Sequence, residues 1–181
     1  MVIRPQAALN ATSLAERSQH FKLGHKDIYT VLPHRGSMAL LRAAEINLSS
    51  QIAEAIAFCP KAVLRDHFNV VPGIFMQEAA HQLGALLLVL GYEAGDLQTA
   101  AKHHPRVLLL ESKISEIKML PATGFRPTEF VCDVEWEKGA PQVRHKMTAS
   151  VSTCNGAPLA QVEALGVLFY NDGSDTRPKR F

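Results

Sequence analysis

Between residues 44 and 59 apolar and polar side chains alternate around the turn signal Ser49-Ser50, which predicts two strands joined as a hairpin. Pro72-Gly73 then opens a stretch to residue 90 in which Ile74, Ala79, Leu83, Leu86, Leu87 and Leu90 recur mostly at helical spacing without an intervening proline. The spacing predicts a helix of about five turns, stopping near Gly91 and Gly95-Asp96. Beyond it, residues 106–110, 128–136, 143–153 and 160–170 are rich in β-branched and aromatic side chains. They are separated by Pro121-Ala122-Thr123-Gly124, Lys138-Gly139-Ala140-Pro141 and Asn155-Gly156, and read as antiparallel strands. Asn155-Gly156 is the strongest hairpin signal, since both residues tolerate the positive φ of a tight primed turn.

Short strands, one long apolar helix and then a run of longer strands make an α+β pattern. A helix so rich in Leu and Ala has to be covered on most sides, which an antiparallel sheet wrapped around it would do; that arrangement is a single hotdog domain. We place it at residues 26–171, with a peripheral N-terminal segment at 1–25 and a C-terminal tail at 172–181, both without clear periodicity. No internal repeat and no low-complexity segment calls for a second domain.

At 181 residues the chain can bury one substantial core. Hydrophobic residues at 47% and charged residues at 20% speak against disorder and against a membrane class. The uncharged apolar run 83–90 falls short of the roughly 18 residues of a membrane span, so it reads as buried helix. The first residues lack the apolar core of a secretory signal, which favours a cytoplasmic location. Cys59, Cys132 and Cys154 are widely spaced, with no C-x-x-C pair to support a disulfide framework or zinc site. A net charge of +2 is too small to imply nucleic acid but is compatible with an acidic macromolecular partner.

The candidate chemistry lies at the helix entry. Glu78 and Gln82 are four apart and share a helix face, beside the small Ala79 and Ala80. A carboxyl group among Phe75, Met76 and Ala79 is expected to be partly desolvated, which raises its pKa and suits a general acid. His67 is the natural complementary base. The backbone N–H groups near Gly73 and Ile74, aided by the helix dipole, can polarise a thioester carbonyl. Each residue alone also has an ordinary reading: a structurally bonded or exposed histidine, and a glutamate facing solvent or an ion-pair partner.

Taken together, Leu32-Pro33-His34-Arg35, Met38 to Leu41, His67-Phe68, Pro72-Gly73, Glu78-Ala79 and Gln82 resemble the β-hydroxyacyl-[acyl carrier protein] dehydratases of fatty acid synthesis. That family has an L-P-H-R opening followed by an H-F-P-G-x-P-x-x-P-G-V-x-x-x-E-A-x-x-Q core, and the similarity extends loosely over residues 28–170. It implies a hotdog dimer in which a histidine of one subunit and a glutamate of the other face an acyl tunnel. His67 and Glu78 would be the catalytic pair, with Gly73 and Ile74 as the oxyanion amides. Phe68, Pro72, Phe75 and Gln82 would line the substrate site. The related isomerising branch has Asp where this chain has Glu78. The run from His67 to Gly73 lacks the family's inner Pro-Gly and is shorter, so the loop that sets the histidine is compressed.

The resemblance implies dehydration of a 3-hydroxyacyl thioester to the trans-2-enoyl product. It implies no metal and no cofactor beyond the phosphopantetheine arm of a partner acyl carrier protein, and at least a homodimer. Two alternatives stand beside it: a hotdog thioesterase, which needs a helix carboxylate but not His67, and a non-catalytic acyl-binding subunit. Lys102 and Arg106 are candidates to meet the acidic face of a carrier protein. His103-His104 reads as a solvated basic loop rather than a metal site. His34 is expected to serve a buried turn or lid, and Cys59 to be a small core residue.

Overall fold

The computed structural model describes residues 20–67, 71–93, 96–103, 106–117, 129–136 and 145–169. In chain order these form β1 (His20–Gly24), α1 (His25–Val31), β2 (Leu41–Asn47), β3 (Ile52–Phe58), α2 (Lys61–Asp66), α3 (Gly73–Tyr92), α4 (Leu97–His103), β4 (Arg106–Ile117), β5 (Glu129–Trp136), β6 (His145–Thr153) and β7 (Pro158–Phe169). A 3-10 turn, Gly36–Met38, lies between α1 and β2. The strands make one antiparallel sheet in the order β1-β2-β3-β5-β6-β7-β4. Strands β2 to β7 all pack on α3, giving the hotdog arrangement that the pattern predicts.

Small side chains let the helix sit close to the sheet. In β3 burial alternates strictly: Ala53, Ala55 and Ala57 face inward, while Ile52, Glu54 and Ile56 face out. Ala44, Ala149, Ala160 and Ala164 are buried on neighbouring strands, and α3 contributes Ala79, Ala80 and Gly84. The far half of α3 is enclosed all round, residues 86–90 being buried without exception. That is why its sequence shows Leu on every face rather than a narrow stripe. At 20 residues α3 is long and apolar enough to cross a membrane by length and composition, longer than the apolar run alone suggested. Its packing in the sheet accounts for that composition.

Both foreseen hairpins form. β2 and β3 pair from Leu41↔Ala57 to Asn47↔Ile52, and Asn47 Oδ1 accepts from the backbone N–H of Ser49 at 3.0 Å and Ser50 at 3.2 Å in the turn. In the β6–β7 turn Gly156 takes φ +81°, but Asn155 does not take positive φ, so the turn is not the expected one with two left-handed residues. Instead Thr153 closes it: its N–H donates to Ala157 O at 2.8 Å, and its Oγ1 accepts from Ala157 N at 3.0 Å.

Three short helices and β1 add to the expected pattern. β1 falls within the segment expected to be peripheral, yet pairs with β2 from His20↔Asn47 to Gly24↔Ala43. Residues 1–19, the 172–181 tail, and the strand ends Thr128, Val143 and Tyr170 lie outside the described residues.

Candidate active site

Glu78 sits in the second turn of α3, its side chain about a quarter exposed, and three elements converge on it. Gln82, one turn along the helix, donates from Nε2 to Glu78 Oε1 at 2.9 Å and to Met38 O at 2.7 Å. Its Oε1 accepts from Tyr29 Oη at 2.8 Å and from the Leu40 N–H at 3.3 Å. Both donors and both acceptor positions of the amide are thereby used. Tyr29 Oη in turn accepts from the Leu41 N–H at 2.7 Å. Burial pushes the Tyr29 hydroxyl up to about 12 against the opposing bond from the Leu41 backbone, with the Glu78 charge adding to the rise. The phenol therefore stays protonated and donates to Gln82.

His34 completes the group. Its Nε2 lies 3.2 Å from Glu78 Oε1, with the two side chains 29% and 24% exposed, whereas its Nδ1 is buried without a hydrogen-bond partner. The Pro33-His34-Arg35 segment is held in place by Arg35, whose Nη1 donates to the carbonyls of Leu32 and His34 at 2.6 Å each. His34, expected at a turn or lid, is thus in direct contact with the helix carboxylate. Sequence spacing gave no sign of that contact, although the motif containing His34 was recognised.

The expected direction of the Glu78 pKa is corrected. Burial does raise it, but the hydrogen bonds from His34 and Gln82 and the charges of His34 and His81 outweigh burial. The carboxyl lies below its ordinary range and is ionised near neutral pH. Desolvation alone, the basis of the expectation, is the losing effect here because His34 and Gln82 both bond the carboxylate and the charges of His34 and His81 add to them.

The other candidate residues divide by position. Pro72 is the N-cap residue of α3 and accepts from the Phe75 N–H at 2.9 Å. No side chain caps this end, which leaves Gly73 and Ile74 at an uncapped N-terminus about 8 Å along the axis from Glu78. Ile74 is 64% exposed and Phe75 half-buried against the core. His67 caps the C-terminal end of α2, its N–H donating to Val63 O and Leu64 O, with an exposed side chain. Within one chain the structure shows no bond between His67 and Glu78. Phe68 lies outside the described residues, as does His104. His103 closes α4, a helix begun by Asp96, whose carboxylate accepts from the N–H groups of Gln98 and Thr99. Lys102 is exposed on it. Among the described residues no cluster of His, Cys, Asp and Glu is arranged to hold a metal ion.

Cys59 is 1% exposed, and burial lifts its thiol to about 11. The Arg42 guanidinium lies 4.7 Å over the Phe58 ring.

No family model and no curated protein matches this chain. Solved structures do. The CurJ dehydratase H978F inactive mutant, in complex with compound 21, superposes with a TM-score of 0.60 at 14% identity; the match covers 93% of this chain and 54% of CurJ. A thioesterase family protein from Silicibacter pomeroyi gives 0.54 at 15% identity, covering 82% of this chain and 100% of that one. A hypothetical thioesterase protein from Streptococcus pneumoniae TIGR4, solved with coenzyme A, gives 0.51 at 10% identity, covering 81% and 94%. At these identities the likeness is one of architecture, and with the sheet order and the enclosed α3 it establishes this chain as a hotdog fold.

Proposed function

We propose that the chain dehydrates a 3-hydroxyacyl thioester, carried on the phosphopantetheine arm of an acyl carrier protein, to the trans-2-enoyl thioester. The observation that carries this reading is the contact between His34 and Glu78. It joins in space the L-P-H-R segment and the E-A-x-x-Q segment, the two parts of the sequence that resemble the dehydratases.

Dehydration needs one group to take the α-proton and another to return a proton to the departing hydroxyl. In this reading Glu78 serves the departing hydroxyl as half of a pair with His34 rather than as an isolated desolvated acid. The uncapped amides at Gly73 and Ile74 polarise the thioester carbonyl as the enolate-like oxygen forms. His67 removes the α-proton. Its exposure on the outside of the chain suits a group that meets Glu78 only across the interface of a dimer.

One observation favours a second reading. An ionised carboxylate on a core helix is ready to activate water, which is what thioester hydrolysis requires. Supplying the purified protein with a 3-hydroxyacyl thioester and with its saturated counterpart separates the two. Enoyl absorbance appearing only with the hydroxylated substrate, and lost in E78Q, is the expected result. Release of free thiol from both substrates, without an enoyl signal, would replace dehydration by hydrolysis.

A further inference from the structure

On the face of α3 beside Glu78, Gln77 and His81 stand one turn apart and both reach Ser112 on β4. Gln77 Nε2 donates to Ser112 Oγ at 2.6 Å, and His81 Nε2 lies 2.7 Å from the same oxygen. We propose that Ser112 and His81 form a nucleophile–base pair that takes the acyl group of a thioester onto the serine as an ester.

A serine hydroxyl is a weak nucleophile unless a base stands within hydrogen-bond reach and is held there. The geometry meets both needs. The Gln77 N–H occupies a lone pair of Oγ, and in the tautomer that carries its proton on Nδ1 His81 accepts the hydroxyl's own hydrogen at Nε2. Burial holds the His81 imidazole below its ordinary range against the opposing charge of Glu78, so its basic, neutral form is present near neutral pH. When the imidazole takes a proton, the same Glu78 carboxylate stabilises the charge through space.

The site can also be reached. Among the described residues β4 is the last strand of the sheet, and Ser112 is half-buried between the exposed Glu111 and Lys113.

In the step itself, Ser112 Oγ bonds to the thioester carbonyl carbon while its proton passes to His81 Nε2. The carbon–sulfur bond then breaks, and the departing thiolate takes that proton to leave as a free thiol. Water, activated by the same imidazole, cleaves the acyl-serine ester to the free acid and restores the hydroxyl.

The experiment treats the full chain with a fluorophosphonate probe, and separately with octanoyl-coenzyme A, and reads covalent adducts by intact-protein and peptide mass spectrometry. A single adduct on Ser112, absent in S112A and formed at least about 100-fold more slowly in H81Q, is the expected result. A wild-type protein that stays unmodified, an adduct on another residue, or H81Q labelled at the wild-type rate would overturn the proposal. The wild-type outcome decides even if a variant fails to fold. Neither probe carries a 3-hydroxyl group, so failure here leaves the dehydration reading standing, and failure of dehydration leaves this one standing.

Discussion

The Glu78 carboxylate accepts from Gln82 and contacts His34 through one and the same oxygen, Oε1. The helix thus fixes the carboxylate from one side and the segment before β2 fixes it from another. Replacing Glu78 by Gln should lower enoyl formation by about 100-fold or more. Replacing His34 by Ala should do something different: with its bond and charge gone, two of the influences that lower the Glu78 carboxyl are lost and it moves upward. The acid limb of the kcat/KM profile should therefore move to higher pH in H34A, measurable by following enoyl absorbance across a pH series.

The direction of the Glu78 shift also sets a stability window. A carboxyl whose folded-state pKa is depressed contributes stability above its unfolded value of 4.5, which is lost as pH falls from there through the lower folded value. His81, depressed from 6.5 by burial, has the same sign but begins to cost stability earlier, as the unfolded state protonates below 6.5. Urea denaturation from pH 8 to pH 3 should show wild-type stability falling in both windows. H81N should flatten the upper window and E78Q the lower; parallel curves for all three proteins would contradict the assignment.

Much of this fold could be read from the sequence because its signals are local. Pro72-Gly73 marks the start of α3, Leu on every face says that the helix is enclosed, and Asn155-Gly156 marks a turn. α1 was not legible for a physical reason: its seven residues are too few to be helical by propensity, and it is held by the burial of Ile28, Tyr29 and Val31 against the rest of the molecule. α4 had a usable signal, the N-capping Asp96. In the site, Glu78 and Gln82 were visible as a helix pair, and His81 and Gln77 could have been found by the same spacing rule. Tyr29 and Ser112 could not, since they reach α3 from strands and helices far away in the chain and only the folded topology brings them there.

Tyr29→Phe removes a hydroxyl that both donates to Gln82 and accepts from the Leu41 N–H. The buried amide of Leu41 is left without its partner, at a cost of about 1–3 kcal/mol. Thermal melting should show Tm lowered by several degrees, and enoyl formation should fall as well because Gln82 loses one of the bonds that orient it. Unchanged melting would mean that the Leu41 N–H finds another partner.

The three thiols should respond very differently to alkylation. Cys59 is buried with its thiol pushed up to about 11, Cys132 is fully buried with its thiol pushed up further, and Cys154 is exposed. Iodoacetamide at pH 8 should modify Cys154 alone in the native protein and all three in denaturant. Early modification of Cys59, read by peptide mass spectrometry, would show that the region between β3 and α2 opens in solution.

Because every hydrogen-bonding position of the Gln82 amide is engaged, the side chain has one permitted orientation; turning it over would set N–H against N–H at Leu40 and oxygen against oxygen at Met38 and Glu78. The amide therefore gives the site a polarity. Donors run from the backbone at Leu41 through Tyr29 to Gln82 and end on Glu78, so the chain between α1 and β2 and the helix carboxylate are joined by one directed run of hydrogen bonds. The seating of that segment and the orientation of Glu78 are therefore coupled through Gln82.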